Sequence, residues 1–157
     1  MSNMISTEYK DIEVAFNKID NLNDQELEKL CEKHTLNQPE LLEYILSASI
    51  EYKNEQLEGL LVYYFCLLME IRINKAPLEL KIDEESIVAF EDQFLNVINE
   101  YFENEKIELL EEYTDQGELV KFMIIEISTP DEDGSKLDEE TAVQLFISSI
   151  AMIKLLF

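Results

Sequence analysis

An all-α bundle is the fold class this sequence predicts, and three observations predict it. Glycine and proline number only 3 each in 157 residues, too few for the many tight turns of a β-sandwich or barrel. The run from Leu57 to Met69 is apolar on every side of a helical wheel, which in a water-soluble chain calls for a helix wrapped by other helices. Around it, apolar residues recur at intervals of three and four behind polar capping residues. The expectation is one helical domain over residues 1–157, with about six to seven helices around a central apolar helix at 55–74.

In chain order, the first helix is expected over 7–19. Ile12, Val14, Ala15, Phe16 and Ile19 supply its apolar stripe, and Ser6 or Thr7 could cap it. Asn23-Asp24-Gln25-Glu26 reads as a capping box, followed by a stripe of Leu27, Leu30 and Cys31 that ends near His34. A second box is read at Asn37-Gln38-Pro39-Glu40. Its proline lies in the first turn, where a missing N–H costs nothing, and Leu41, Leu42, Ile45, Leu46 and Ser49 continue inward. The central helix follows at 55–74.

Beyond Ala76-Pro77, the segment 78–82 alternates apolar and polar residues, so it is either a short strand or an extended connector leading to a cap at Asp83. Helical spacing returns over 84–103 through Ile87, Val88, Phe90, Phe94, Leu95, Val97, Ile98, Tyr101 and Phe102. A shorter helix around Ile107, Leu109, Leu110 and Tyr113 is expected to stop at Gly117. Residues 119–127 read as helix because alternation is poor, with a minor two-stranded element pairing 78–82 with 119–127 as the rival. A turn at Pro130–Gly134 precedes the last helix, 138–156, which is too apolar to lie alone. It packs deep in the bundle or contributes to a homodimer interface.

Charge excludes more than it identifies. There are 35 acidic residues against 12 basic ones, a formal net charge of -23, so the surface repels nucleic-acid phosphates and anionic lipid headgroups. It suits solubility, or a basic partner. The 2 cysteines, Cys31 and Cys66, make no disulfide framework and favour a reducing compartment. The opening residues carry neither a basic nor an apolar targeting segment, and the longest apolar run, Leu60–Met69, is far short of the ~20 residues a bilayer span needs. A cytoplasmic location is therefore expected.

Motifs that would carry chemistry are few. No Gly-rich phosphate loop occurs, and a single histidine gives a nucleophilic triad no visible base. No catalytic residue and no cofactor are assigned. Cys31-x-x-His34 offers two metal ligands one turn apart, but no second Cys or His pair completes a zinc site, and the residue reads better as a helix-terminal histidine near the last carbonyls. The stretch 129–140 resembles a calcium loop, with Asp131, Asp133 and Glu140 as ligands and Gly134 as the turn. Thr129 stands where the first Asp belongs and Lys136 where an apolar anchor belongs. Three charges lie in apolar runs: Glu70, Arg72 (the only arginine) and Glu126. They either mark where helices emerge into water or form an internal bridge from the Arg72 fork to a carboxylate.

The stretch Leu27-Glu28-Lys29-Leu30, the segment Gln38-Pro39-Glu40-Leu41-Leu42-Glu43-Tyr44 and the apolar helix after it resemble a group of uncharacterised bacterial all-helical proteins. In them an acidic helix precedes a Gln-Pro-x-Leu-Leu-x-Tyr segment and a hydrophobic helix. The resemblance covers residues 22–73, implies a bacterial cytoplasmic origin and carries over no functional residue.

Three function classes follow, in order of preference. The first is a non-enzymatic interaction protein, such as an immunity-type inhibitor or a nucleic-acid mimic. Its carboxylates at Glu100, Glu103, Glu105, Glu108, Glu111, Glu112, Asp115 and Glu118 would meet a basic partner. The second is a small-molecule or lipid-binding bundle whose aromatic residues (Tyr63, Tyr64, Phe65, Phe90, Phe94, Phe122 and Phe146) enclose a cavity. A carboxylate- or metal-dependent enzyme is the third, with no residue set pointing to it.

Overall fold

The computed structural model describes residues 7–51, 53–78, 81–131 and 133–157, the side chain of Ala48 excepted. Among them run eight helices and no strand: α1 (Tyr9–Asp20), α2 (Asp24–Asn37), α3 (Pro39–Glu51), α4 (Glu55–Lys75), α5 (Glu84–Asn104), α6 (Glu108–Glu111), α7 (Gly117–Ser128) and α8 (Glu139–Leu156). The molecule is an all-α helical bundle.

The apolar run is α4, and it has no water-facing side left over its middle turns. Leu57, Leu61, Phe65, Leu67, Leu68, Met69 and Ile71 are fully buried. Helices α1, α2, α3 and α8 supply the cover, α8 most extensively. Seven such side chains, at ~1.5–3 kcal/mol each, outweigh any preference of this segment for another conformation. Two polar ties fix α8 on α4. At their starts, the Asn54 side chain caps α4 by accepting from Leu57 N–H (3.0 Å) and donates to Thr141 Oγ1 (2.8 Å). At their ends, Arg72 Nε donates to the Leu156 carbonyl (2.7 Å) and its Nη1 to the Ala76 carbonyl. The two helices therefore run in the same sense, and the fork satisfies carbonyls that helix ends leave orphaned. α8 takes the deep-packing alternative, with Leu145, Phe146, Ile150, Met152, Ile153 and Leu156 all buried within the chain.

Local differences from the sequence expectation have identifiable causes. Residues 119–127 lie in α7, so their strand alternative is set aside; of the partner segment 78–82, Glu79 and Leu80 lie outside the described residues. Thr7 does not cap α1. It is buried, its N–H donating to Gln116 Oε1 (3.1 Å), while Glu8 takes the cap position and its N–H donates to Asp11 Oδ2 (2.9 Å). Asn37 closes α2 rather than opening α3. Pro39 disfavours helical geometry in the residue before it, so Gln38 (φ -137°, ψ 63°) becomes a one-residue hinge and Pro39 the first residue of α3. Gly117 opens α7 instead of ending a helix, and the left-handed stop sits earlier, at Glu105 (φ 54°) after α5. The box at Asn23–Glu26 and the cap at Asp83 form as read, and Asp138 caps α8 in the same way, each side chain accepting a backbone N–H at 2.7–2.8 Å.

Candidate functional site

Seven of the eight carboxylates singled out in the sequence are exposed: Glu100 and Glu103 on the last turns of α5, Glu105 at its stop, Glu108 on α6, Glu112 and Asp115 in the connection, and Glu118 opening α7. Glu111 is half-buried. Among the described residues none of the eight takes part in an ion pair. No ion pair among the described residues thus neutralises their charge.

Glu118 also belongs to a valley that the sequence analysis did not find. On α1, Tyr9, Ile12, Glu13, Phe16 and Asn17 line it; on α7, Glu118, Lys121, Phe122, Ile125 and Glu126 do. Both sets follow the spacing i, i+3, i+4, i+7, i+8, so each is one continuous helix face. The helices run alongside in the same sense. Thr7 N–H reaches Gln116 at their starts, and the Phe16 and Phe122 rings meet edge to face at 6.0 Å further along. The valley has a volume of about 560 Å³. Its floor is apolar, and Tyr9 (63% exposed) and Ile125 (53%) stand open to solvent along it. Glu13, Glu118 and Glu126 line its walls against the single ammonium of Lys121. A second concavity, about 430 Å³, opens on the other flank of α7, where Glu111 and Glu112 stand; Lys121 and Ile125 border both. A third, about 390 Å³, lies between α3 and α5, with Glu40, Glu43, Glu84 and Glu91 around Tyr44 and the half-exposed Val88.

The charges placed in apolar runs are sorted otherwise than expected. Among the described residues Arg72 does not bridge to a carboxylate; its hydrogen bonds go to helix-end carbonyls. Glu70, two residues away, points elsewhere because positions i and i+2 do not share a helix face. It is 3% exposed, and its oxygens accept from Lys18 Nζ (2.9 Å) and meet His34 Nε2 (2.8 Å). Glu126 accepts from the Tyr64 hydroxyl (3.2 Å). His34 is fully buried rather than facing the last carbonyls of α2, and its Nδ1 has no partner among the described residues. Burial pushes this imidazole below its ordinary value, outweighing the pull of the Glu70 hydrogen bond. Burial also pushes the Glu70 carboxyl up, but hydrogen bonds from Lys18 and His34 prevail and leave it below the usual carboxylate range. The consistent assignment is a neutral imidazole donating from Nε2 to a carboxylate. Beside it, the Cys31 and Cys66 thiols share a hydrogen bond, which together with burial pushes Cys66 well above its ordinary value.

This cluster is a structural lock across α1, α2 and α4. Among the described residues no three His, Cys, Asp or Glu side chains are grouped to hold a metal ion; neither Cys31 with His34 nor Asp131 and Asp133 with Glu140 form such a set. Asp131 and Asp133 instead accept from Ser135 around the turn at Gly134, whose φ of 83° needs a glycine. Glu140 is exposed in the first turn of α8.

The acidic stretch could be read from the sequence, whereas the valley needs two faces more than 100 residues apart brought side by side. Its one local signal was an apolar arc on α1 too wide for a single seam. No helix among the described residues is long and apolar enough to cross a membrane. The sequence matches no protein-family model, and neither a curated protein nor a solved structure matches it.

Proposed function

We propose that this chain is a non-enzymatic interaction protein whose acidic surface binds a basic protein partner, in the manner of an immunity-type inhibitor or a nucleic-acid mimic. The observation that carries the reading is the uncompensated charge of 100–118. Eight carboxylates within 19 residues make no internal ion pair among the described residues, against a chain net charge of -23. Holding like charges together destabilises a fold, so an external cation is the natural counterpart. Such a field also speeds encounter with a basic surface. A bacterial cytoplasm is the setting we assign, on the free thiols of Cys31 and Cys66 and the acidic exterior.

The test is capture of basic proteins on the immobilised chain across a salt series. Binding is expected to weaken by more than about tenfold between 0.1 and 1 M salt, as the screening length falls from about 10 to about 3 Å. Salt-independent capture, or capture of acidic and basic proteins alike, overturns the reading.

A further inference from the structure

We propose that the valley between α1 and α7 is the docking groove, and that its occupant is an amphipathic helix of the basic partner, apolar face down. The inference rests on the reading above and adds where the partner sits and in what form. An occupant of the valley must cover Tyr9, Phe16, Phe122 and Ile125, so it needs an apolar stripe. It must answer Glu13, Glu118 and Glu126 on the walls, so lysines or arginines flank that stripe. It must also satisfy its own backbone. Two helix faces offer no free strand edge, so an extended peptide would bury unpaired N–H and C=O groups, whereas a helix pairs them internally.

Size agrees. α1 and α7 are each 12 residues long, about 18 Å at 1.5 Å per residue, which matches a helix of three to four turns. A third helix resting between two is also the way the rest of this bundle covers its apolar faces. A second copy of the chain is a poor occupant, because it brings another -23 of charge to a wall of carboxylates.

The probe is a synthetic peptide of about 14 residues of leucine and lysine, leucines at i, i+3, i+4 and i+7, with a scrambled peptide of equal composition beside it. Binding is read by fluorescence anisotropy. Two variants make the same charge change at equally open sites: Ile125→Glu in the groove (Ile125 53% exposed) and Val88→Glu in the α3/α5 concavity (Val88 51%). Wild type is expected to hold the amphipathic peptide about tenfold tighter than the scrambled one. Ile125→Glu should lose about tenfold although it adds attraction, while Val88→Glu should bind as well as wild type or better.

If the scrambled peptide binds equally, if both variants behave alike, or if Tyr9→Glu, at a residue that lines the valley and not the second concavity, binds as wild type, the groove is not the site. A steep salt dependence in that same result would leave the basic-partner reading standing. If neither peptide binds at low salt, both fall. Should sedimentation find a wild-type dimer that Ile125→Glu dissociates, the groove belongs to a second copy and this assignment is overturned.

Discussion

Helix α1 is flanked by two seams of different construction. Toward α4 it is closed. Ile12, Ala15 and Ile19 are buried, and two ion pairs stitch the edges, Lys18 to Glu70 at 2.9 Å and Lys75 to Asp11 at 3.1 Å. Toward α7 it is open, held by the Thr7–Gln116 hydrogen bond and one edge-to-face pair of rings, with carboxylates along both walls. α4 presents apolar surface all round, so α1 can approach it closely and charge enters the seam only where an opposite charge meets it. Across the other seam, Glu13, Glu118 and Glu126 line one concavity with Lys121 alone to offset them, and two phenylalanine rings meet edge to face between the helices. Like charge leaves a valley where opposite charge and close apolar packing leave none.

Paired truncations break or sharpen that contrast. Phe65→Ala, in the closed core, is expected to cost about 3–5 kcal/mol in urea unfolding. Phe122→Ala, on the open side, should cost less than about 1.5 kcal/mol, because solvent already reaches the ring and no sealed void remains. Equal losses would mean that the valley is as tightly packed as the core. Next in size, Glu70→Ala should cost about 2–4 kcal/mol, since it leaves His34 buried with neither nitrogen partnered. A change below about 1 kcal/mol would show that the lock does not hold the closed seam.

The same lock sets a pH dependence. His34 is held below its ordinary 6.5, so near that value the folded chain binds fewer protons than the unfolded one. Its contribution is complete above pH 6.5 and is lost as the pH falls below it. Glu70, also lowered, adds a second loss as the pH drops below its ordinary 4.5. Urea midpoints across pH 4–8 should therefore decline on the acid side. His34→Gln should remove the upper part of that slope and leave the lower; an unchanged profile would place the acid sensitivity elsewhere. The smallest effect expected is a gain. Gly59 lies exposed within α4, and an added methyl group would meet nothing within 4 Å, so Gly59→Ala should stabilise by about 0.5–1 kcal/mol, read as a raised Tm.

What could be read in advance divides along the same line. α4 was legible because its apolar run contains no polar stripe, and the caps at Asn23 and Asp83 were legible because they act within three residues. The stop assigned to Gly117 failed because the short helix α6 already closes at Glu112 in right-handed geometry, and Gly117 begins the next helix. The Arg72 bridge does not form among the described residues, and the sequence holds no distance information to foresee this. One of its acceptors, the Leu156 carbonyl, lies 84 residues away and is a backbone group that no side-chain pattern announces. Likewise His34 and Glu70 were each singled out separately, but that they face one another across 36 residues depends on how α2 is laid over α4.

Because the chain has a single histidine, and that histidine is buried between α2 and α4 beside the closed seam, the protein carries its own spectroscopic gauge. One imidazole nitrogen has no hydrogen-bond partner among the described residues and the other bears a proton held by a carboxylate, two environments that give well-separated nitrogen-15 resonances. Any event that levers α2 off α4, whether a docked helix pulling on α1 or the first step of unfolding, would admit water to Nδ1 and move its signal. One labelled residue can therefore report whether occupation of the open valley is felt on the far side of α1.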